Sequence, residues 1–325
     1  MMIRLVFSTN IRALLVALHI VLISACASPT IAPATLTPQP SPTQIIPTST
    51  PLPSPTRVAA TSTPAPSPTI AATVYFERGK TAAEQRNYDQ AIADFTQAIA
   101  LDPKFALAYF QRGNAHARKG NSDQSIADYT KTIELDPTYA DAFYNRGNGY
   151  LRIGQLELAI ADYTKAIQLN PRDISAYNNR GNGYLRMGQY DLAIVDYTKA
   201  IELDPKHINA YFNRGIAQGN KGNWDQSIAD FTSAIGINPQ YTDAYFNRGV
   251  AFEGKGNVDQ AIADYTKAIQ LDSKYASAFL NRGALYKERG LKPQAISDLE
   301  TYLKLAPDGT SRAEAEKWLR ELKGQ

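Results

Sequence analysis

The stretch Ala140-Asp-Ala-Phe-Tyr-Asn-Arg-Gly-Asn-Gly-Tyr-Leu-Arg-Ile-Gly-Gln-Leu-Glu-Leu-Ala-Ile-Ala-Asp-Tyr-Thr-Lys-Ala-Ile-Gln-Leu-Asn-Pro171 recurs, with variations, along almost all of the chain after residue 70. Arg-Gly pairs mark each recurrence: Arg78-Gly79, Arg112-Gly113, Arg146-Gly147, Arg180-Gly181, Arg214-Gly215, Arg248-Gly249 and Arg282-Gly283, always 34 residues apart without insertion. A fixed period of this length implies stacked supersecondary units, none of which can bury its apolar face alone. Seven units begin at Ala72, Ala106, Ala140, Ile174, Ile208, Thr242 and Ala276 and fill residues 72–309 of 325. The length therefore reads as one elongated array rather than two compact domains.

Each unit divides into two amphipathic segments. The first carries an aromatic at position 4, as in Tyr109 and Phe143, and Gly at position 8, where two helices must approach closely. Glycines near the middle, Gly120 to Gly290, supply turns. Asn87, Asn121, Asn223 and Asn257 then stand where they can cap the second helix, with Gln three residues on at capping-box spacing. That helix follows a pattern such as Ala261-Ile-Ala-Asp-Tyr-Thr-Lys-Ala-Ile269 and usually ends at Pro. After the last unit, Ala315, Trp318, Leu319 and Leu322 share one face of a helix predicted over 311–323, within a capping segment at 310–325. A stack of helix pairs needs such a cover for its exposed end. No equivalent precedes Ala72, which predicts a first unit that frays or is covered by something else. Arg stands at position 7 and Asp at position 23 of every unit, so a structural Arg-carboxylate pair is expected in each.

This pattern resembles the tetratricopeptide repeat. The small and aromatic positions match the family as in Gly147, Ala159, Tyr163 and Ala166, with Pro171 closing the unit. Ser125, Ser227, Thr132 and Ser273 depart from it mildly, and Leu299 and Tyr302 depart more in the last unit; Arg at position 7 replaces the usual Leu. The resemblance implies an all-α fold: a right-handed superhelical α-solenoid with a C-terminal capping helix. It also implies that the first helices line a concave groove for extended peptides or helices. Co-chaperone members grip a terminal carboxylate with Lys at positions 2 and 5; here those positions hold no Lys, so a chaperone-tail receptor is not expected.

Position 6, usually exposed in the family groove, reads Glu77, Gln111, Asn145, Asn179, Asn213, Asn247 and Asn281. A carboxamide both donates and accepts, so five consecutive asparagines could pair with the backbone of an extended peptide at successive steps without reading its sequence. The resemblance supports this, since the O-linked N-acetylglucosamine transferases bind peptides through such a ladder. The competing possibility is that each Asn serves local backbone or water. Position 9 changes from Asn114, Asn148 and Asn182 to Ile216, Val250 and Ala284, and position 13 carries Arg118, Arg152 and Arg186 in the earlier units only. Two groove halves follow: a polar, basic one suited to acidic side chains and an apolar one with Phe212, Phe246 and Leu280. Alternatively, the arginines are merely solvated and the aromatics are packing.

Residues 1–25 place Arg4 and Arg12 before the apolar run Ala13–Ile23 and the small residues Ser24 and Ala25, the layout of a secretory signal. Ile23-Ser24-Ala25-Cys26 resembles the bacterial lipobox, which implies a diacylglycerol on Cys26 and a membrane anchor. Eleven apolar residues broken by His19 are too few to span a bilayer, which needs roughly 20. Residues 26–70 are almost wholly Pro, Ser, Thr and Ala and read as an extended tether. An O-glycosylated stalk or a Pro-rich recognition segment shares that composition.

The remainder of the composition narrows function. All 31 acidic residues and 31 of 34 basic ones lie beyond residue 70, so the array is neutral and lacks the cationic surplus that nucleic acid requires. Cys26 is the sole cysteine, which rules out an internal disulfide or a cysteine metal cage. His116 occupies a core-facing aromatic position and His207 an inter-repeat turn, so no catalytic, metal or cofactor constellation is expected. The reading is a membrane-tethered extracytoplasmic scaffold, not an enzyme, binding protein or peptide partners. The alternative is an envelope assembly factor acting by self-association or through its convex face.

Overall fold

The computed structural model describes residues 68–325; Cys26, the leader and most of the Pro-rich segment lie outside them. Every described element is a helix. Unit 1 contributes α1 (Pro68–Glu84) and α2 (Tyr88–Leu101), and unit 2 contributes α3 (Ala106–Arg118) and α4 (Ser122–Leu135). Units 3 and 4 follow as α5 (Ala140–Arg152), α6 (Leu156–Leu169), α7 (Ile174–Arg186) and α8 (Tyr190–Leu203). Then come α9 (Ile208–Asn220), α10 (Trp224–Ile237), α11 (Thr242–Gly254), α12 (Val258–Leu271), α13 (Ala276–Glu288) and α14 (Lys292–Leu305), closed by α15 (Arg312–Lys323). Each helix packs on its predecessor and successor, and the first helices of units 1 to 6 also pack on one another, which puts them on the inner side of the curve.

Glycine at position 8 sets the spacing within a pair. A Cβ added to Gly147 would lie 2.9 Å from the Tyr163 ring, and the equivalent glycines of units 1 to 6 meet their own position-24 ring as closely. Position 3 is Ala in units 2 to 7 and is wholly buried in each, from Ala108 to Ala278. Small residues thus let the two helices of a unit approach closely at position 8 and are sealed from solvent at position 3.

Arg at position 7 closes the junctions. Arg146 donates Nε and Nη2 to the two oxygens of Asp162, both at 2.8 Å, and Nη1 to Thr130 Oγ1 of the preceding unit at 3.1 Å. The same fork-plus-Thr arrangement joins Arg112, Arg180, Arg214, Arg248 and Arg282 to their partners. The guanidiniums also lie over the position-4 ring, 5.7 Å from the Phe143 centroid for Arg146. Hydrogen bonding to Asp162 and to Asp196 holds Arg146 and Arg180 above the ordinary arginine value. Arg78, in unit 1, has no Thr arm among the described residues: it bonds Asp94, lies 4.8 Å from the Tyr75 centroid and stays 57% exposed.

Position 5 is interior. Phe76, Phe110, Phe212 and Phe246 are at most 7% exposed and stack on Phe105, Tyr139, Tyr241 and Tyr275 at the end of the same unit, with centroids 4.8 to 5.1 Å apart. Units 3 and 4 replace this stack with polar groups. Their closing residues, Asp173 and His207, instead accept hydrogen bonds from Ala176 N and Ala210 N and cap the next helix.

The capping-box expectation needs correction. Only Asn87 accepts from the amide three residues on, Gln90 N at 3.3 Å; Asn121, Asn223 and Asn257 make no such bond. Asn223 turns back to Gln218 Oε1 at 2.8 Å. The turns are held instead by the positive φ of the central glycines, 72 to 86°. At the C-terminus, α15 packs Ala315, Trp318, Leu319 and Leu322 against Leu280, Leu299 and Tyr302. At the other end Ile70 and Val74 remain about 60% exposed on α1.

Candidate functional site

The asparagines at positions 6 and 9 form a relay between units. Asn114 Oδ1 accepts from Tyr129 Oη at 2.9 Å and from Asn145 Nδ2 of the next unit at 3.0 Å. Asn148 does the same with Tyr163 at 2.7 Å and Asn179 at 2.9 Å, and Asn182 with Tyr197 at 2.8 Å and Asn213 at 2.9 Å. The position-9 asparagines are therefore acceptors for buried tyrosine hydroxyls, which would be costly to leave unpaired. Asn145 and Asn213 keep Oδ1 and a second amide hydrogen without a partner among the described residues.

The pattern changes where position 9 turns apolar. In unit 5 Ile216 stands opposite Phe231, which has no hydroxyl to satisfy. In unit 6 Val250 leaves the Tyr265 hydroxyl to bond Glu253 Oε2 at 2.8 Å. Asn247 is a correction to the ladder: with Ile216 in place of an asparagine acceptor it is 2% exposed and donates to Asp243 O of its own helix. Asn281 donates to the Tyr265 hydroxyl at 3.3 Å. The apolar groove half is a second correction, because Ile216, Val250, Phe212, Phe246 and Leu280 are all at most 7% exposed and belong to the core.

At position 13 the arginines are exposed. Arg152 donates Nη1 to Ala117 O at 3.1 Å and Arg186 to Leu151 O at 3.0 Å, each meeting a carbonyl at the end of the preceding unit's first helix that also accepts from the turn glycine three residues on. Arg118 has no ion pair among the described residues. An open cavity of about 1020 Å³ spans units 1 to 3 on the inner side and brings together Asn114, Asn145, Asn148, Arg118 and Arg152. Asn179, Asn182, Arg186 and Asn213 continue along the array beyond it, and Asn247 and Asn281 lie farther on.

Gln111, at groove position 6, also lines this cavity, as do Arg86 and Tyr129, which sequence reasoning missed. Burial pushes the Tyr129 hydroxyl above the ordinary tyrosine value, while Arg152 and Arg118 pull it back. Arg86 had a visible signal: it occupies the turn position that is Gly in all six other units, and its φ of 59° makes it the sole non-Gly residue at positive φ among the described residues. His116 lies partly buried with Nδ1 unpartnered, and burial lowers its pKa.

Models of the tetratricopeptide repeat match residues 76–140, 128–161, 147–188, 174–207, 196–229, 220–256 and 254–290. The chain belongs to the tetratricopeptide repeat family, a class of protein-interaction scaffold whose members are typically not enzymes. Among solved structures it is similar to YrrB, described as a TPR protein with an unusual peptide-binding site, at 27% identity and a TM-score of 0.52, covering 57% of this chain and 95% of that one. A tetratricopeptide repeat protein from Parabacteroides merdae matches at 21% identity, TM-score 0.58, covering 78% and 99%. The C-terminal part of a TPR repeat-containing protein from Cytophaga hutchinsonii matches at 19%, TM-score 0.63, covering 74% and 98%. No curated protein sequence matches.

Proposed function

We propose that this chain is an exported, membrane-tethered scaffold that captures an extended segment of a partner protein along the inner face of its repeat array. The observation that carries the reading is the convergence of Asn114, Asn145, Asn148, Arg118 and Arg152 on one open cavity across three units. The asparagines are fixed by tyrosine hydroxyls and by one another, so their remaining donors and acceptors are pre-positioned for a peptide backbone. The peptide-binding description of YrrB supports the same use of the fold. The tether reading rests on the leader, Cys26 and the Pro-rich segment: a diacylated cysteine would hold the array at a membrane, because two acyl chains anchor stably where one does not.

A crosslinking pull-down from cell envelopes tests the groove. The native chain and an Arg118→Glu variant are compared, since Arg118 is exposed and makes no ion pair that folding would miss. Partners recovered with the native chain and lost with the variant support the groove; identical partners from both argue against it. Removing all the ladder asparagines would confuse the test, because their hydrogen bonds also join the units.

A second reading, assembly through the convex side, has its own observation. Ile153, Leu158, Leu192 and Val195 are 40 to 65% exposed and cluster in units 3 and 4. At the same positions units 1, 2, 5, 6 and 7 carry Lys, Arg, Gln, Ala or Ser, and Lys119, Lys221, Lys255 and Arg289 pair there with Asp89, Asp191, Asp225 and Asp259.

A further inference from the structure

The cavity of units 1 to 3 has a chemical bias. Three arginines line it, Arg86, Arg118 and Arg152, against one acid, Glu84. Neither Arg86 nor Arg118 makes an ion pair or side-chain hydrogen bond among the described residues, and Arg152 directs only Nη1 to a protein carbonyl. The array as a whole is neutral, so this local surplus is not a by-product of composition.

Arg86 is the more informative of the three. The turn between the two helices of a unit demands a left-handed residue, and six units meet the demand with Gly. A non-Gly residue there costs about 1–2 kcal/mol of backbone strain. Strain of this kind persists where the side chain has a use. Here the strained side chain stands on the same cavity as the two position-13 guanidiniums, neither of which makes an ion pair among the described residues.

We infer that Arg86, Arg118 and Arg152 form a stepped carboxylate-binding rim that takes acidic side chains of an extended peptide, a conclusion that rests on the groove reading above. Each arginine belongs to a different unit: Arg118 and Arg152 stand one repeat apart at position 13, and Arg86 stands two residues past Glu84, the equivalent position of unit 1. Packed helix axes lie about 10 Å apart, and an extended chain advances about 3.3–3.6 Å per residue. The rim therefore matches acidic residues placed about three apart, while the carboxamides of Asn114 and Asn145 meet the intervening backbone. An internal run of side chains suits an open cavity spanning three units better than a single chain terminus does. Guanidinium forks fit carboxylates by two parallel hydrogen bonds, which favours this chemistry over a neutral ligand.

The test measures fluorescence polarisation of labelled ten-residue peptides with the purified full chain. One peptide carries Asp at every third position and an amidated C-terminus; a second carries Asn at those positions; a third is neutral with a free C-terminal carboxylate. The Asp peptide is expected to bind best, with affinity falling steeply as salt rises. Arg118→Glu and Arg86→Gly should each weaken it about ten-fold or more. Arg86→Gly keeps the test independent of folding, because it restores the residue of the other six turns and should raise the thermal midpoint while lowering affinity. Equal binding of the Asn peptide, unchanged by either substitution, overturns the carboxylate rim and leaves the groove reading standing. Preference for the free-terminus peptide overturns the side-chain assignment. Failure of all three peptides to bind overturns both.

Discussion

Asp196 shows what a single side chain contributes. It is 2% exposed, and its two oxygens accept from Arg180 Nη2 and Nε at 2.7 and 2.8 Å. Burial works against its charge and keeps its pKa above the ordinary carboxylate value, a penalty the guanidinium offsets only in part. Removing one partner leaves the other buried and unpaired, so Asp196→Leu alone should cost about 3–5 kcal/mol, whereas Asp196→Leu with Arg180→Met should be close to neutral. Denaturant titration of the two single variants and the double variant checks this; a double-variant loss equal to the sum of the two single losses would mean that the pair is not coupled. The pairing itself was legible in the sequence as a recurrence at positions 7 and 23. The third arm, to Thr at position 25 of the preceding unit, was not, because a surface Thr on a helix has many uses and only the stack brings it to the guanidinium.

His116 makes a pH prediction at the same scale. Burial lowers its pKa below the ordinary value of about 6.5. As pH falls through that value the unfolded chain takes up a proton that the folded chain still refuses, so stability drops with acid until the folded value is passed. Other units place Tyr150, Tyr184 or Phe252 at this position. His116→Phe should therefore flatten the thermal midpoint across this pH window; an unchanged slope would locate the acid sensitivity elsewhere.

Among elements, helices and their pairing were readable because a fixed period supplies seven samples of the same rule. The exceptions lie where two chemistries could satisfy one position. Asn at the head of the second helix fits a cap, yet the turn is already held by the glycine, and Asn223 found a side-chain partner instead. Asn at position 6 fits a free ladder, yet the tyrosine hydroxyl behind it draws the network inward until Ile216 breaks the chain of acceptors. Phe at position 5 fits a groove, yet the aromatic closing the unit covers it. At the C-terminus, α15 covers Leu280, Leu299 and Tyr302 with Trp318 and Leu319. Ending the chain at Gly309 should expose that face, lower the thermal midpoint by several degrees and raise binding of a hydrophobic dye. An unchanged midpoint would show that unit 7 needs no cover.

For the whole molecule, the array presents two unlike surfaces, a basic and carboxamide-rich inner face over units 1 to 3 and an apolar outer patch over units 3 and 4. Which of them meets the partner separates capture of a peptide from assembly. The most direct measurement places a photo-activated crosslinking side chain at position 118 in one full-length variant and at position 195 in another, and irradiates intact cells expressing each. Partner adducts at position 118, with few or none at 195, are the result predicted. Adducts confined to position 195, whether to another protein or to a second copy of the chain, would contradict the account and move function to the outer face.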